Sequence, residues 1–62
     1  MASKKLGNLI KEARTEAGLT QEQLAERIGV SRQAISKWET GDTQPALAQL
    51  IALANELDIS LD

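Results

Sequence analysis

The sequence predicts an all-α fold, a compact bundle of four short helices that contains a helix-turn-helix at about residues 20–40. Apolar residues recur at helical spacing in four segments, and Gly or Pro marks the joints between them. Only three residues separate the second and third segments, which is the spacing of a helix-turn-helix. No repeat or long linker divides the sequence, so residues 1–62 are expected to form a single domain.

The first predicted helix begins at Ser3, which is expected to be its N-cap, and ends at Gly18. Glycine at that position can adopt the left-handed backbone conformation that commonly closes a helix. The apolar stripe expected to face the core consists of Leu6, Leu9, Ile10, Ala13 and Ala17.

The second predicted helix has the clearest start of the four. Thr20 followed three residues later by Gln23 is a capping box, and Leu19 can contact Leu24 across it as a hydrophobic staple. The helix is expected to stop at Gly29. The residues that it should bury are Leu24, Ala25 and Ile28.

The third predicted helix runs from Ser31 to Thr40. Ser31 is expected to be its N-cap, with Val30 contacting Ile35 as a second staple, and Gly41 is expected to end the helix. Both boundaries of this helix are therefore predicted from local signals alone.

A fourth predicted helix follows a polar connection at residues 42–45. Its start is weak, because Ala46 has no oxygen with which to cap a helix, so we expect the helix to begin through Thr43, Gln44 or water. Residues 59–62 are expected to form an apolar anchor and the opening of a further helix. Leu53 is expected at the edge of an apolar stripe made of Leu47, Leu50, Ile51, Ala54 and Leu57.

The composition argues against catalysis and against a membrane location. The chain has no Cys and no His, which removes disulfides, thiolate or imidazole metal sites and the usual nucleophile–base pairs. We therefore expect no enzyme activity, no cofactor and no small-molecule substrate. No apolar run approaches the roughly 18 residues of a membrane span, and no signal-peptide core follows the N-terminus, so a cytoplasmic setting is expected.

The charge is unevenly distributed along the chain. The net charge is −2, which by itself disfavours a partner as negative as a nucleic acid. All seven basic residues precede Trp38, however, and are accompanied by only four acids, so that residues 1–37 carry +3 and residues 38–62 carry −5. The amino-terminal part of the chain is thus the part suited to a polyanion.

The two sides of the third helix differ in chemistry. At about 100° of rotation per residue, Ala34, Ile35 and Trp38 lie together on an apolar side. We expect Trp38 to belong to the core, since a lone aromatic ring is a poor platform for stacking bases. The opposite side is a polar strip made of Arg32, Gln33, Ser36 and Lys37.

This polar strip has the chemistry needed to read base pairs in duplex DNA. Arg32 can donate two hydrogen bonds to guanine, and Gln33 can pair with adenine through its amide. Lys37 can reach guanine or a phosphate, and the short side chain of Ser36 lets the helix approach closely. An ordinary soluble helix also carries a polar face of this kind, so the strip alone does not decide between DNA and water.

Three segments resemble the phage repressor and Cro helix-turn-helix family: residues 19–25 (LTQEQLA), 28–31 (IGVS) and 35–41 (ISKWETG). The resemblance extends from about Leu6 to Leu61. It implies a lambda-repressor-like bundle, here a four-helix form of a five-helix domain. It also implies sequence-specific binding of double-stranded DNA with the third helix in the major groove, in a bacterial or phage-like transcription regulator.

The resemblance also implies roles for individual residues. Arg32, Gln33, Ser36 and Lys37 fall where the family reads bases. Gln21 falls where the family contacts a phosphate and braces the recognition helix, and the neighbouring backbone-contact positions hold Thr20, Ser31 and Thr40. Capping alone would also account for these hydroxyl residues. The family pairs the equivalents of Arg14 and Glu39 as a structural ion pair.

Two departures from the family weaken these expectations. The loop after the third helix carries Asp42, Thr43 and Gln44 where many members have basic residues that hold phosphates. The chain also ends where a fifth helix would begin, so we expect a monomer or a weak dimer. Two alternatives stay open: an antitoxin-like protein-interaction module that uses Leu53, Leu61 and the acidic second half, and an engineered helical scaffold without a ligand.

Overall fold

The structure, a computed structural model, describes residues 4–59 and the side chains of residues 5–59. This part of the chain forms four helices and no strand: α1 (Lys4–Glu16), α2 (Gln21–Ile28), α3 (Arg32–Thr40) and α4 (Leu47–Leu57). The predicted all-α, four-helix fold is confirmed. The predicted N-cap Ser3, the expected helix opening at residues 60–62 and the anchor Leu61 lie outside the described residues.

Local capping explains where α2 and α3 begin. Thr20 Oγ1 accepts a hydrogen bond from the Gln23 N–H at 3.0 Å, and Gln23 Oε1 accepts one from the Thr20 N–H at 2.9 Å. At the next helix, Ser31 Oγ accepts from the Ala34 N–H at 3.1 Å. These bonds satisfy amide groups that have no partner inside the helix. The predicted starts of α2 and α3 are confirmed, as are their ends at Gly29 and Gly41, both with positive φ.

The two ends of α4 are built differently. The Ala46 N–H donates to Gln49 Oε1 at 2.9 Å, so one half of a capping box is present and the half that needs a side-chain oxygen on Ala46 is missing. Gln49 therefore takes part in the start of α4, and the expected contribution of Thr43, Gln44 or water stays a prediction. The helix ends at Asp58, whose φ of 55° is left-handed although it is not glycine.

One core holds the helices together. Ile10, Leu24, Ile35 and Leu53 are fully buried, and each comes from a different helix. Trp38 is only 4% exposed, which confirms that its indole belongs to the core rather than to an exposed stacking surface. Ala25 and Leu57 complete the buried cluster.

Four predicted core positions are wrong, and one of them, Ala17, is exposed because it lies beyond Glu16, the last residue of α1. Leu47 is 73% exposed, Ile51 is 46% exposed and Leu9 is 42% exposed, whereas Leu53, which was expected at the edge of its stripe, is fully buried. For the three residues of α4, the reason is that this helix is apolar on nearly every side, so its sequence does not mark which side meets the core. Leu9 lies at the edge of the α1 stripe, about 100° of rotation away from the fully buried Ile10. Burial of Leu53 also removes it as an anchor for a protein partner.

The close approach of α1 to α3 depends on Gly7. A Cβ atom at this position would lie 2.5 Å from the Trp38 carbonyl oxygen and 2.6 Å from that of Glu39. Real Cβ atoms essentially never come so close to backbone, so only glycine allows the end of α3 to rest directly on α1. Among the described residues, no helix is long and apolar enough to cross a membrane.

Candidate nucleic-acid interface

The predicted base-reading strip lies on the outer side of α3. Arg32, Gln33 and Lys37 are exposed, and Ser36 is half-buried. On the inner side of the same helix, Ile35 is fully buried. The structure therefore brings all four predicted side chains to one face of one helix and fixes that helix from behind.

The turn between α2 and α3 sets the position of this helix. Gly29 adopts φ 75°, and the Val30 N–H then donates to the Ala25 carbonyl at 3.0 Å. Ser31 caps α3 immediately afterwards. Because the two helices are joined by three residues with defined hydrogen bonds, α2 and α3 form the helix-turn-helix unit that the sequence predicts.

Arg14 and Glu39 form a largely buried ion pair between α1 and the end of α3. Arg14 Nε lies 2.7 Å from Glu39 Oε2, and Arg14 Nη2 lies 3.2 Å from Oε1. The side chains are 14% and 3% exposed, and Arg14 Nη1 also donates to the Leu19 carbonyl at 2.7 Å. A two-point contact of this geometry fixes direction as well as distance. Together with the Gly7 contact, it attaches the end of α3 firmly to α1.

Gln21 is the third member of this network. Its Nε2 donates to Glu39 Oε1 at 3.0 Å, so one carboxylate joins α1, α2 and α3. Gln21 stands where the resembled family braces its recognition helix, and its partner in that bracing is Glu39, 18 positions away in the sequence. The predicted phosphate contact of Gln21 stays a prediction, and its half-buried side chain lies at the edge of the candidate interface.

The hydroxyl groups predicted to contact phosphates differ in whether their hydrogen is already donated within the protein. Thr20 Oγ1 and Ser31 Oγ act as acceptors in their caps, so each hydroxyl hydrogen can still be donated to a phosphate oxygen. The Thr40 hydroxyl instead donates to the Lys37 carbonyl at 3.2 Å. Thr40 would have to break this bond before it could donate to DNA.

A shallow, open depression connects the two predicted sets of contacts. Thr20 and Gln21 line it together with Arg14 and Arg32, so the start of α2 and the start of α3 share one surface. Three further residues complete the lining: Glu22, Gln23 and Glu26. The two acids offset part of the positive charge there, which limits non-specific attraction to phosphate.

The loop after α3 holds no basic side chain. The Asp42 N–H donates to the Lys37 carbonyl at 2.9 Å, which closes the helix together with Gly41. No group of three or more His, Cys, Asp or Glu residues in the described part of the chain could hold a metal ion.

Comparisons with known proteins agree with this geometry. The helix-turn-helix family model matches residues 10–62, which is most of the chain. The transcriptional activator BcrR of Enterococcus faecalis is 43% identical over 53 residues, which are 86% of this chain and 26% of BcrR. An uncharacterized helix-turn-helix transcriptional regulator of Methanothermobacter thermautotrophicus is 51% identical over 49 residues, which are 79% of this chain and 71% of that protein.

A solved structure shows the same arrangement of helices. The c2 repressor of phage P22, in a crystal structure with a synthetic operator, matches this fold with a TM-score of 0.85 at 36% identity. The alignment covers 89% of this chain and 83% of the repressor chain. By contrast, the chain spans about a quarter of BcrR and about half of two Bacillus subtilis regulators.

Proposed function

The chain belongs to the helix-turn-helix family, and we propose that it binds double-stranded DNA in a sequence-specific manner with α3 in the major groove. Its relatives named above are transcriptional regulators rather than enzymes, and the predicted absence of catalysis agrees with them. The observation that carries the proposal is the exposed strip of Arg32, Gln33 and Lys37 on a helix whose inner side and C-terminal end are both fixed.

Each residue of the strip has a distinct task in this proposal. Arg32 and Gln33, in the first turn of α3, read base edges through paired hydrogen bonds. Lys37, one turn further along, binds guanine or a phosphate. Ser36 is small enough to let the helix enter the groove.

Backbone contacts would set the position of α3 rather than the sequence that it reads. Thr20 and Ser31 donate their hydroxyl hydrogens to phosphates. Gln21 donates the side-chain amide hydrogen that does not bond to Glu39. Thr40 contributes only after releasing the Lys37 carbonyl. With a net charge of −2 and an acidic loop, we expect moderate affinity and a shallow dependence on salt.

The regulatory setting is part of the same proposal. The domain would serve as the DNA-binding part of a bacterial or phage-like transcription regulator in the cytoplasm. It would act as a monomer or a weak dimer, with no small-molecule substrate, no cofactor and no membrane partner.

Selection from randomised duplex DNA tests base reading directly. The purified chain is incubated with the pool at low and at moderate salt, and the bound DNA is sequenced. We expect one short enriched motif, which is lost when Arg32→Ala and Gln33→Ala are combined. Absence of enrichment, with binding that vanishes as salt rises, would reduce the interaction to non-specific electrostatics and would refute the proposal.

A matched pair of arginine variants separates base reading from charge. On the selected site, Arg32→Ala should cost about 1 to 3 kcal/mol of binding free energy and relax the preference at one base pair. Arg27→Ala removes the same charge from an exposed side chain that contacts Glu56 instead. This control should keep the full base preference. Equal weakening by Arg32→Ala on every sequence would show that Arg32 is only a backbone contact.

A further inference from the structure

A groove of about 570 Å³ lies between α1 and the end of α4, and it shares no lining residue with the depression beside α3. We propose that this groove docks a basic segment of another protein, one in which aliphatic side chains are flanked by Lys or Arg. The proposal concerns a second surface of the domain and does not depend on DNA binding.

The floor of the groove is apolar. Leu9 is 42% exposed, and beside it lie Ala13 from the same helix and Leu57 and Ile59 from the end of α4. Leu57 belongs to the buried core, whereas Ile59 and Ala13 are half-buried at its edge. An aliphatic side chain that entered here would cover Leu9 and extend the core outward, with the usual gain from removing apolar surface from water.

The edge of the groove is acidic throughout. Among the residues that the structure describes, Glu12, Glu16 and Asp58 line this edge, and neither Lys nor Arg does. In the described part of the chain, none of these three carboxylates forms an ion pair, since the two ion pairs there involve Glu39 and Glu56. A bound segment with Lys or Arg on either side of its aliphatic residues would meet complementary charge at each edge.

The acids also stand where the helices themselves do not favour them. Glu12 and Glu16 are four residues apart in α1, so the two negative charges repel each other, and Glu16 is the last residue of the helix. Asp58 follows the C-terminal end of α4, where the helix dipole favours a cation. A cationic partner would relieve all three unfavourable placements at once.

The same charges argue against the other occupants. A second copy docked by the same face across a two-fold axis would place three acids against three acids. The residues next to Ile59 in the sequence, Ser60-Leu61-Asp62, add a further acid and no cation. DNA would be repelled outright. A basic segment of another protein is the occupant that the charges favour.

A titration followed by NMR tests the proposal on the full 62-residue chain. The probes are two short synthetic peptides with leucines at identical helical spacing, one with lysine and one with glutamate at all other positions. We expect the lysine peptide to shift the amides of Leu9, Ala13 and Ile59 saturably, and the glutamate peptide to leave them unchanged.

Charge reversal makes the test specific. Glu12→Lys combined with Glu16→Lys should weaken binding of the lysine peptide by about tenfold or more and should allow the glutamate peptide to bind. Asp42→Lys changes charge at an exposed loop position outside the groove and should alter neither affinity by more than about twofold. Leu9→Ser should weaken the lysine peptide by about fivefold, because it removes the exposed part of the apolar floor. The dispersion of each variant's amide spectrum reports whether it is folded.

Four outcomes would overturn the proposal. The two peptides could bind equally well, or the shifted amides could map to α3 instead of the groove. Groove amides that shift when the chain alone is diluted would identify a second copy as the occupant. Contacts between Leu61 and Leu9 in the free chain would identify the chain's own tail.

Discussion

The two ends of the molecule are held to the core by different means. The end of α3 is fixed by groups with strict geometry: Gly7 against two carbonyl oxygens, and Glu39 between Arg14 and Gln21. Helix α4 is held by the burial of Leu53 and Leu57, while Leu47 at its start is largely exposed. Burial is non-directional, so it secures a helix without fixing its angle, whereas hydrogen bonds and close backbone contact fix both.

This contrast matches the difference in task. A base-reading helix must present its side chains to within a fraction of an ångström, because each paired hydrogen bond depends on both distance and angle. Helix α4 carries none of the predicted base-reading residues and serves mainly to complete the core. We therefore expect substitutions around Glu39 and Gly7 to be far more costly than changes to the polar groups of α4.

The largest expected effect is that of Glu39→Ala. The change leaves the guanidinium of Arg14 and the amide of Gln21 without their shared acceptor in a site where Glu39 is 3% exposed. We expect a loss of about 3 kcal/mol of unfolding free energy, measured by urea denaturation. Glu39→Gln keeps the shape and one acceptor oxygen and should lose less. A loss below about 1 kcal/mol for Glu39→Ala would mean that the network does not fix α3.

Gly7→Ala should have the next largest effect. The added Cβ would meet the Trp38 and Glu39 carbonyl oxygens at 2.5 and 2.6 Å, so α1 and α3 must separate. We expect a net loss of about 2 kcal/mol, even though alanine is the better helix former. The exposed neighbour Asn8 provides the control: Asn8→Ala has the same propensity gain without the clash and should stabilise slightly. A higher midpoint of thermal unfolding for Gly7→Ala would contradict the close contact.

The sequence predicts well those parts of the fold that depend on neighbouring residues. The caps at Thr20 and Ser31 and the stop at Gly41 are local signals, and the structure confirms all three. It predicts poorly which side of α4 is buried, because leucine, isoleucine and alanine occur on nearly every side of that helix. The end of α4 at Asp58 also lacks the usual glycine signal.

The candidate site also has features that local sequence predicts and features that it does not. The polar strip of α3 follows from helical periodicity, and the pairing of Arg14 with Glu39 was implied only by the family resemblance. The bond from Gln21 to Glu39 depends on the packing of three helices, which no local pattern encodes. Gly7 carried one usable signal: an isolated glycine inside a helical pattern often marks a close contact.

A gain in stability, smaller than the losses expected for Glu39→Ala and Gly7→Ala, is expected at the end of α4. Asp58 has φ 55°, a conformation that disfavours a side chain, and its charge lies at the negative end of the helix dipole. We expect Asp58→Gly to stabilise the chain by about 1 kcal/mol in thermal unfolding. Asp58→Asn removes the charge and keeps the side chain, so it should give only part of the gain. Destabilisation by both variants would show that Asp58 makes a contact that secures α4.

The smallest effect is expected at the ion pair between α2 and α4. Arg27 Nη1 lies 3.0 Å from Glu56 Oε1, with side chains 54% and 33% exposed, so water and salt screen the attraction. A double-mutant cycle with Arg27→Ala and Glu56→Ala should give a coupling energy of at most about 0.5 kcal/mol, and less at high salt. The same cycle on Arg14 and Glu39 should give several times more, since the residue types match and mainly burial and the number of hydrogen bonds differ. Equal coupling in the two cycles would mean that α4 is held by directional contacts after all.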